Sequence, residues 1–226
     1  MIKLENTEVF GLEAAIRGMR NPMNSWHLSD SFLGLKEDES PINPCDEVYF
    51  FIGEKDLKLM QNLSKAGSDH GKFLRMINVT VDITAPLYWW KEFDTYKVGT
   101  VANSCSTMHK IHAKEFELDD FSCEHLDDAF KRDGLFVAGY RRYLKYVIEG
   151  LNDAREMYLE TKDKYYWWQM IQLLPSSYNQ KRTVQLNYQV LKSMYFARRN
   201  HKLDEWHTLC EWMESLPYFK EICIQE

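Results

Sequence analysis

Residues 174 to 198 read Leu174-Pro175-Ser-Ser-Tyr-Asn-Gln-Lys-Arg-Thr-Val-Gln-Leu-Asn187-Tyr-Gln189-Val-Leu191-Lys-Ser-Met194-Tyr-Phe-Ala-Arg198, and this stretch decides the fold. The second half, residues 183 to 198, predicts a helix, because four side chains recur there at steps of four, three and four. Those steps place the four side chains on one helical face, whose ends lie about 16 Å apart. The four are Asn187, Leu191, Met194 and Arg198.

The two polar ends of this helical face allow two interpretations. The amide of Asn187 and the guanidinium of Arg198 suit an anionic ligand that also accepts hydrogen bonds. In the alternative the helix belongs to the core, Asn187 caps a turn and Arg198 pairs with a buried carboxylate. Burial explains most amphipathic stripes, so the spacing alone leaves both interpretations open.

The composition of the 226 residues argues against several classes of protein. Hydrophobic residues make up 45% and aromatic residues 14%, which is too apolar for a disordered chain. The net charge of −6 argues against a protein that coats nucleic acid. No apolar run reaches the roughly 18 residues of a membrane span, and no signal peptide is visible, so we expect a cytoplasmic protein with no membrane partner. The five cysteines show no Cys-x-x-Cys spacing and fit reduced thiols.

Periodicity in the rest of the chain predicts an α+β fold. Apolar and polar residues alternate from Ile77 to Ile83, which predicts a strand over residues 76–84. Residues 21–45 are expected to be a loop, and Val48 to Ile52 is either a strand or the start of a helix. The expected helices cover residues 8–20, 87–97, 135–174 and 204–216. We predict one domain over residues 1–226, with a small sheet packed against long helices.

A second polar region runs from Lys97 to His112 and reads Lys97-Val-Gly-Thr100-Val-Ala-Asn103-Ser-Cys105-Ser106-Thr-Met-His109-Lys-Ile-His112. A glycine-containing loop close after a helix presents backbone N–H groups and hydroxyls to anions. The His109-x-x-His112 pair has no third ligand at a recognisable spacing, so no metal site is expected. Cys105 has two histidines nearby that would serve as a base, which leaves a nucleophilic cysteine as an alternative.

The stretch from Leu174 to Arg198 resembles the C-terminal signature of flavin-dependent thymidylate synthases. In that family the signature runs LP…NxRxLxxFxxxR. The spacing matches here without a gap from Leu174-Pro175 through Asn187 and Leu191 to Arg198, while Gln189 stands where the family has its middle Arg. The resemblance covers roughly residues 55–215.

The second motif of the family is degenerate in this chain. The family has Arg-His-Arg, seven residues, Ser, any residue and Arg, with an Asn-Glu pair often inside. Here Thr95-Tyr96-Lys97 stands at Arg-His-Arg, Thr100 stands for the inner Ser, and Asn103 and Ser106 fit with one inserted residue. Ser104, Met108 and Ile171 stand where the family has a Glu and two arginines. Tyr, Met and Ile lack the bidentate grip of a guanidinium on an anion.

The resemblance implies roles for particular residues. Ser106 and Arg198 are expected to lie at the nucleotide as catalytic residues. A flavin would contact a turn before the predicted strand and the start of the signature helix, through His70, Lys72, Arg75 and Asn187. The nucleotide-binding set would be Tyr96, Lys97, Thr100, Asn103, Ser106, His109 and Arg198.

The resemblance supports two hypotheses on function. In the first, the protein is an enzyme that methylates C5 of dUMP or a related pyrimidine nucleotide, with FAD, NADPH and methylenetetrahydrofolate. In the second, the chemistry is lost and the fold binds or sequesters a nucleotide or nucleotide signal, which the missing arginines favour. A third hypothesis is an oligomeric scaffold without a ligand. In each case we expect no polymeric nucleic acid as a partner.

The aromatic run Tyr165-Tyr-Trp-Trp168 points to self-association. Four consecutive helical positions point all round a helix, so one face can meet the protomer's own core and the others need a further partner. Together with the family resemblance, this predicts a homotetramer.

Overall fold

The computed structural model describes residues 2–36 and 47–225, in which strands and helices are interspersed. The strands are β1 (Lys3–Phe10), β2 (Phe32–Lys36), β3 (Glu47–Phe51), β4 (Asn78–Pro86), β5 (Val101–Ser104), β6 (Ala129–Arg132), β7 (Leu135–Ala138) and β8 (Asn179–Asn187). The helices are α1 (Leu12–Arg20), α2 (Glu54–Lys65), α3 (Leu87–Phe93), α4 (Arg141–Thr161), α5 (Lys164–Leu173), α6 (Tyr188–Arg198), α7 (Asp204–Ser215) and α8 (Phe219–Cys223). A short 3₁₀ segment, Gly71–Arg75, precedes β4.

The central sheet is antiparallel and has the strand order β1, β4, β8, β5. One of its two central strands, β4, buries Val79, Val81 and Ile83 completely, while the residues between them are only half-buried. This confirms the predicted alternating strand, which runs over residues 78–86 where the sequence predicted 76–84. β2 pairs with β3, and β6 pairs with β7, each as a separate hairpin.

Helices from both halves of the chain cover one face of this sheet and build the main core. Trp89 of α3 lies 4.9 Å, between ring centroids, from both Trp90 and Trp206. A smaller core joins α4 and α5 to Phe116 and Phe121 of the preceding segment. A sheet with helices from separate parts of the chain confirms the predicted α+β class.

The predicted helix over residues 183–198 is wrong in its first turn. Residues 183 to 187 belong to β8, and only Tyr188–Arg198 forms a helix. The reason is tertiary: β8 pairs with β4 along nine residues and with β5 along four. The apolar residues Val184 and Leu186, two positions apart, were the sequence signal for this strand, and both are buried.

Other predicted helices begin or end elsewhere. Residues 8–10 end β1, and α1 follows Gly11, whose φ of 90° breaks the pattern. The helix expected over residues 87–97 ends at Phe93. The region 135–174 contains strand β7 and then two helices, separated at Lys162, whose φ is 58°. The helix predicted over residues 204–216 is confirmed as α7 to within one residue, but it is not the last one, because the short helix α8 follows it.

Two further predictions concern the first fifty residues. Residues 48 to 51 belong to strand β3, Ile52 follows the strand, and α2 begins only at Glu54, so the strand alternative is correct. The loop predicted over residues 21–45 contains strand β2, and its residues 37–45, with Cys45, lie outside the described residues.

Candidate functional site

A cleft of about 570 Å³ lies at the start of α6. Its walls come from three parts of the chain: the end of the 3₁₀ segment, the loop after α3, and the first turns of α6. We call it the α6 cleft and define it by Arg75, Tyr96, Lys97, Asn187, Gln189 and Ser193. Volumes of this size are typical of small-molecule sites.

Two cations from separate segments of the chain face the α6 cleft. Arg75 ends the 3₁₀ segment and Lys97 follows α3, and both side chains are exposed. Neither forms an ion pair with any residue that the structure describes. The positive end of the α6 dipole adds to their field. The cleft is therefore electropositive in a chain whose net charge is −6.

Asn187 sits where β8 ends and α6 begins. It is the N-cap of α6, and its Oδ1 accepts a hydrogen bond from the N–H of Val190 at 3.1 Å. This contact leaves the Nδ2 donors for the cleft. Gly99 passes so close that a Cβ there would lie 3.0 Å from Asn187 Nδ2, and its φ of 77° also favours glycine. The loop after α3 is thus held against the cap of α6.

Arg198, at the other end of α6, is already engaged by protein groups. Its Nη1 donates to Glu92 Oε2 at 2.9 Å and its Nε donates to the hydroxyl oxygen of Tyr96 at 3.0 Å. The guanidinium also stacks 4.7 Å above the ring of Trp206. The carboxylate partner considered as an alternative in the sequence is therefore present as Glu92. Direct contact of Arg198 with a ligand stays a prediction.

A second, larger cavity of about 850 Å³ lies between α1 and α2. Its wall is mainly apolar, with Met19, Leu59 and Phe73, and we call it the α1–α2 cavity. His70 and Lys72, the turn residues expected at a flavin, line this cavity. The expected flavin set thus divides between two sites, because the 3₁₀ segment contributes to both.

A buried ion pair supports the α1–α2 cavity. Arg20 Nε lies 2.6 Å from Asp56 Oδ1, and the two side chains are 5% and 0% exposed. Burial raises the pKa of Asp56, but hydrogen bonds from Ser29, Ser31 and Arg20 outweigh it, so the pKa lies below its usual value. The pair fixes the segment after α1 against α2.

Solved structures identify the fold, although sequence comparison does not. No protein-family model matches the chain, and no curated protein matches its sequence. A crystal structure of thymidylate synthase X (ThyX) from Helicobacter pylori with FAD and dUMP matches with a TM-score of 0.66 at 16% identity. The match covers 99% of this chain and 97% of that one. The chain has a ThyX-like fold.

Two further structures support the same assignment. A second ThyX structure from H. pylori, complexed with FAD and dUMP, matches with a TM-score of 0.65 at 16% identity, over 98% of this chain and 97% of that one. The UMP/dUMP methylase PolB from Streptomyces cacaoi, bound with 5-Br UMP, matches with a TM-score of 0.56 at 16% identity. That match covers 95% of this chain and 88% of the other.

Within this ThyX-like fold, four of the predicted site residues meet at the α6 cleft: Arg75, Tyr96, Lys97 and Asn187. Four others lie elsewhere along β5 and the loop around it: Thr100, Asn103, Ser106 and His109. Asn103 faces Thr183 across the sheet edge, and the Ser106 hydroxyl accepts the backbone N–H of His109 at 2.9 Å. These four are not among the described residues that line the cleft, so their roles stay predictions.

Sequence reasoning missed two residues of the α6 cleft. In the sequence, Gln189 stands out only as the replacement for an Arg, and no motif includes Ser193, yet both line the cleft. They lie four residues apart and so share one face of α6, beside the buried face of Leu191 and Met194. The spacing of four between these two polar residues is the sequence pattern that could have identified them.

Neither a metal site nor a membrane-spanning helix is found among the described residues. They contain no group of three or more His, Cys, Asp or Glu side chains placed to hold a metal ion. Within the same ranges, no helix has the length and apolar character needed to cross a membrane.

Proposed function

We propose that this protein binds a pyrimidine nucleoside monophosphate, dUMP or UMP, in the α6 cleft. The observation that carries the proposal is the pair of cations, Arg75 and Lys97, which have no acidic partner among the described residues and face one cleft. A nucleotide phosphate is an anion that such a pair, together with a helix N-terminus, stabilises. The ThyX and PolB structures that share this fold were solved with dUMP and 5-Br UMP.

In this proposal the cations and the amides have different tasks. Arg75 and Lys97 neutralise the phosphate, since charge-assisted hydrogen bonds are the strong ones. Asn187 Nδ2 and the Gln189 amide offer hydrogen bonds to the base or sugar. Tyr96 supplies an aromatic ring in the same wall.

We further propose the α1–α2 cavity as the site of FAD. Its apolar wall suits the flavin ring, and His70 and Lys72, at its edge, form no ion pair with a described residue and suit its phosphates. When bound, FAD supplies hydride-transfer chemistry. NADPH and methylenetetrahydrofolate belong to the proposal only for an active C5-methylating enzyme. The alternative is a nucleotide-binding protein without turnover, favoured by Thr95-Tyr96-Lys97 in place of Arg-His-Arg.

Self-association and location complete the proposal. Tyr165 and Trp168 of α5 are 61% and 43% exposed, which suits a contact with a second copy. A homotetramer in the cytoplasm, with no polymeric nucleic acid as partner, stays our prediction. Sedimentation at micromolar concentration tests the oligomeric state.

Isothermal titration calorimetry with four ligands tests nucleotide binding. We expect dUMP and UMP to bind and deoxyuridine, which lacks the phosphate, to bind at least about tenfold more weakly. Comparing deoxycytidine monophosphate with dUMP tests whether the site distinguishes cytosine from uracil. Equal binding of dUMP and deoxyuridine, or no binding of either monophosphate, contradicts the proposal.

The absorbance spectrum of the purified protein after incubation with FAD tests the second part. A flavin spectrum that stays with the protein through gel filtration supports FAD binding, and consumption of dUMP with NADPH and the folate donor then identifies an enzyme. Binding of dUMP without retention of flavin identifies the nucleotide-binding alternative.

A further inference from the structure

Tyr96 joins the α6 cleft to a polar network behind it. The residue lines the cleft and is only partly exposed. Its hydroxyl oxygen accepts a hydrogen bond from Arg198 Nε at 3.0 Å, and the Arg198 guanidinium lies 5.6 Å from the ring centroid. Tyr96 is therefore in contact with both the cleft and the network.

The network is centred on one carboxylate oxygen. Glu92 Oε2 accepts from Arg198 Nη1 at 2.9 Å and from Trp206 Nε1 at 3.1 Å. It also lies 3.2 Å from His201 Nε2. Since His201 Nδ1 accepts the backbone N–H of Leu203 at 3.2 Å, the ring proton is on Nε2 and points to Glu92. We call Glu92, Tyr96, Arg198, His201 and Trp206 the Glu92 network.

Arg198 is fixed in the Glu92 network on several sides. One edge meets Glu92, another meets Tyr96, and its plane stacks on Trp206. Two of its five N–H donors are committed to Tyr96 and Glu92, so a ligand contact would have to use the remaining donors while the guanidinium stays in the network. Its geometry therefore suits a support role.

The hydroxyl proton of Tyr96 has no acceptor in the network. A guanidinium has only donors, so Tyr96 must be the acceptor in its hydrogen bond with Arg198. No described residue accepts a hydrogen bond from the Tyr96 hydroxyl. The proton is therefore not committed to any described residue, and Tyr96 is one of the residues that line the α6 cleft.

We infer that Tyr96 donates its hydroxyl proton to an oxygen of the bound nucleotide, and that Arg198 is the positioning residue that holds Tyr96 for this contact. The inference rests on the proposed nucleotide binding in the α6 cleft. It assigns Arg198 an indirect role, through Tyr96, in place of a direct contact with the ligand.

A double-mutant cycle on the dissociation constant for dUMP tests the inference. The variants are Tyr96→Phe, Arg198→Ala and the two combined, with Tyr146→Phe as a control because Tyr146 is 64% exposed on α4, away from the cleft. We expect each single variant to bind about tenfold more weakly and the combined variant to bind no more weakly than either one. The control should bind as the parent does.

Two results overturn the inference while leaving the proposed function standing. One is an additive loss of about 100-fold in the combined variant, since Arg198 then contacts the ligand independently of Tyr96. The other is unchanged binding by Tyr96→Phe. A parent protein that binds neither dUMP nor UMP overturns the proposed function, and the inference with it.

Two additional measurements keep the test decisive. Arg198→Lys retains the charge beside Glu92 but loses the Nε–H donor, so it should fold and still bind dUMP about as weakly as Tyr96→Phe. Parent-like binding by this variant contradicts the positioning role. Repeating Tyr96→Phe with deoxyuridine locates the acceptor: a persisting loss places it on the base or sugar, and a vanished loss places it on the phosphate.

Discussion

The two ends of α6 carry polar residues of the same sequence signature, but their surroundings differ. At the N-terminal end, Asn187 and Gln189 face a cleft with two unpaired cations. At the C-terminal end, Arg198 is enclosed by Glu92, Tyr96 and Trp206. The polar groups at the N-terminal end line an open cleft, whereas Arg198 at the C-terminal end is already paired with protein groups. Spacing places side chains along a helix, but the rest of the fold decides which of them remain available to a ligand.

The largest expected effect is on ligand affinity at the open end. Replacing both Arg75 and Lys97 by Ala should weaken dUMP binding by about 3 kcal/mol, or roughly 100-fold, because two charge-assisted contacts to the phosphate are lost. The unfolding midpoint should hardly move, since both side chains are exposed. Calorimetry measures the affinity, and Lys91→Ala, an exposed lysine of α3, is the control. Unchanged affinity in the double variant would show that the nucleotide phosphate does not bind in the α6 cleft.

The next effect is on stability at the enclosed end. Arg198→Ala should lower the free energy of unfolding by about 2 kcal/mol, because Glu92 loses a partner in a partly buried network. Urea denaturation measures this loss. The neighbouring Arg199 has an exposed side chain that lies 5.2 Å from the ring centroid of Phe196 and forms no ion pair with a described residue, so Arg199→Ala is the matched control and should cost less than about 0.5 kcal/mol. Equal losses in the two variants contradict the contrast between the ends.

A smaller effect separates the two roles of Asn187. Asn187→Ala removes the N-cap of α6 and should cost about 1 kcal/mol of stability. Asn187→Ser keeps a capping oxygen but lacks the amide donors, so it should recover most of the stability and still bind dUMP more weakly. If the Ser variant regains both stability and affinity, Asn187 serves only as a cap.

The smallest effect is a pH dependence beside the enclosed end. The pairing with Lys220 and the hydrogen bond from Tyr195 of α6 hold the pKa of Glu214 below its usual value of 4.5. A lowered carboxyl pKa contributes stability that is present above pH 4.5 and is lost as the pH falls through the folded-state pKa. Glu214→Gln should therefore cost about 0.5 kcal/mol at pH 7 and nothing measurable near pH 2. Denaturation curves at the two pH values compare parent and variant.

The sequence predicted the parts of the fold that local pattern determines. The alternation from Ile77 to Ile83 identified one of the two central strands of the sheet, and the stripe of Leu191 and Met194 identified the buried face of α6. Residues 183 to 187 were missed because a helical step of four from Asn187 competed with their alternation, and the pairing with β4 decided the outcome.

The candidate site was predictable only in part, for a related reason. The motif positions placed Tyr96, Lys97 and Asn187 near one another, and the structure brings them to one cleft with Arg75. The partner of Arg198 is Glu92, 106 residues earlier in the chain, and no spacing within the signature identifies it. Ser106 and His109 lie beyond β5, which carries the chain along the sheet edge before them.

A crystal structure of the protein with 5-bromo-UMP tests the central claim most directly, because the anomalous signal of bromine locates the base without ambiguity. We predict one bromine peak in the α6 cleft, with the phosphate between Arg75 and Lys97, the Tyr96 hydroxyl on a ligand oxygen, and Arg198 still bound to Glu92. A peak outside this cleft, or a guanidinium of Arg198 that has left Glu92 to bind the nucleotide, contradicts it.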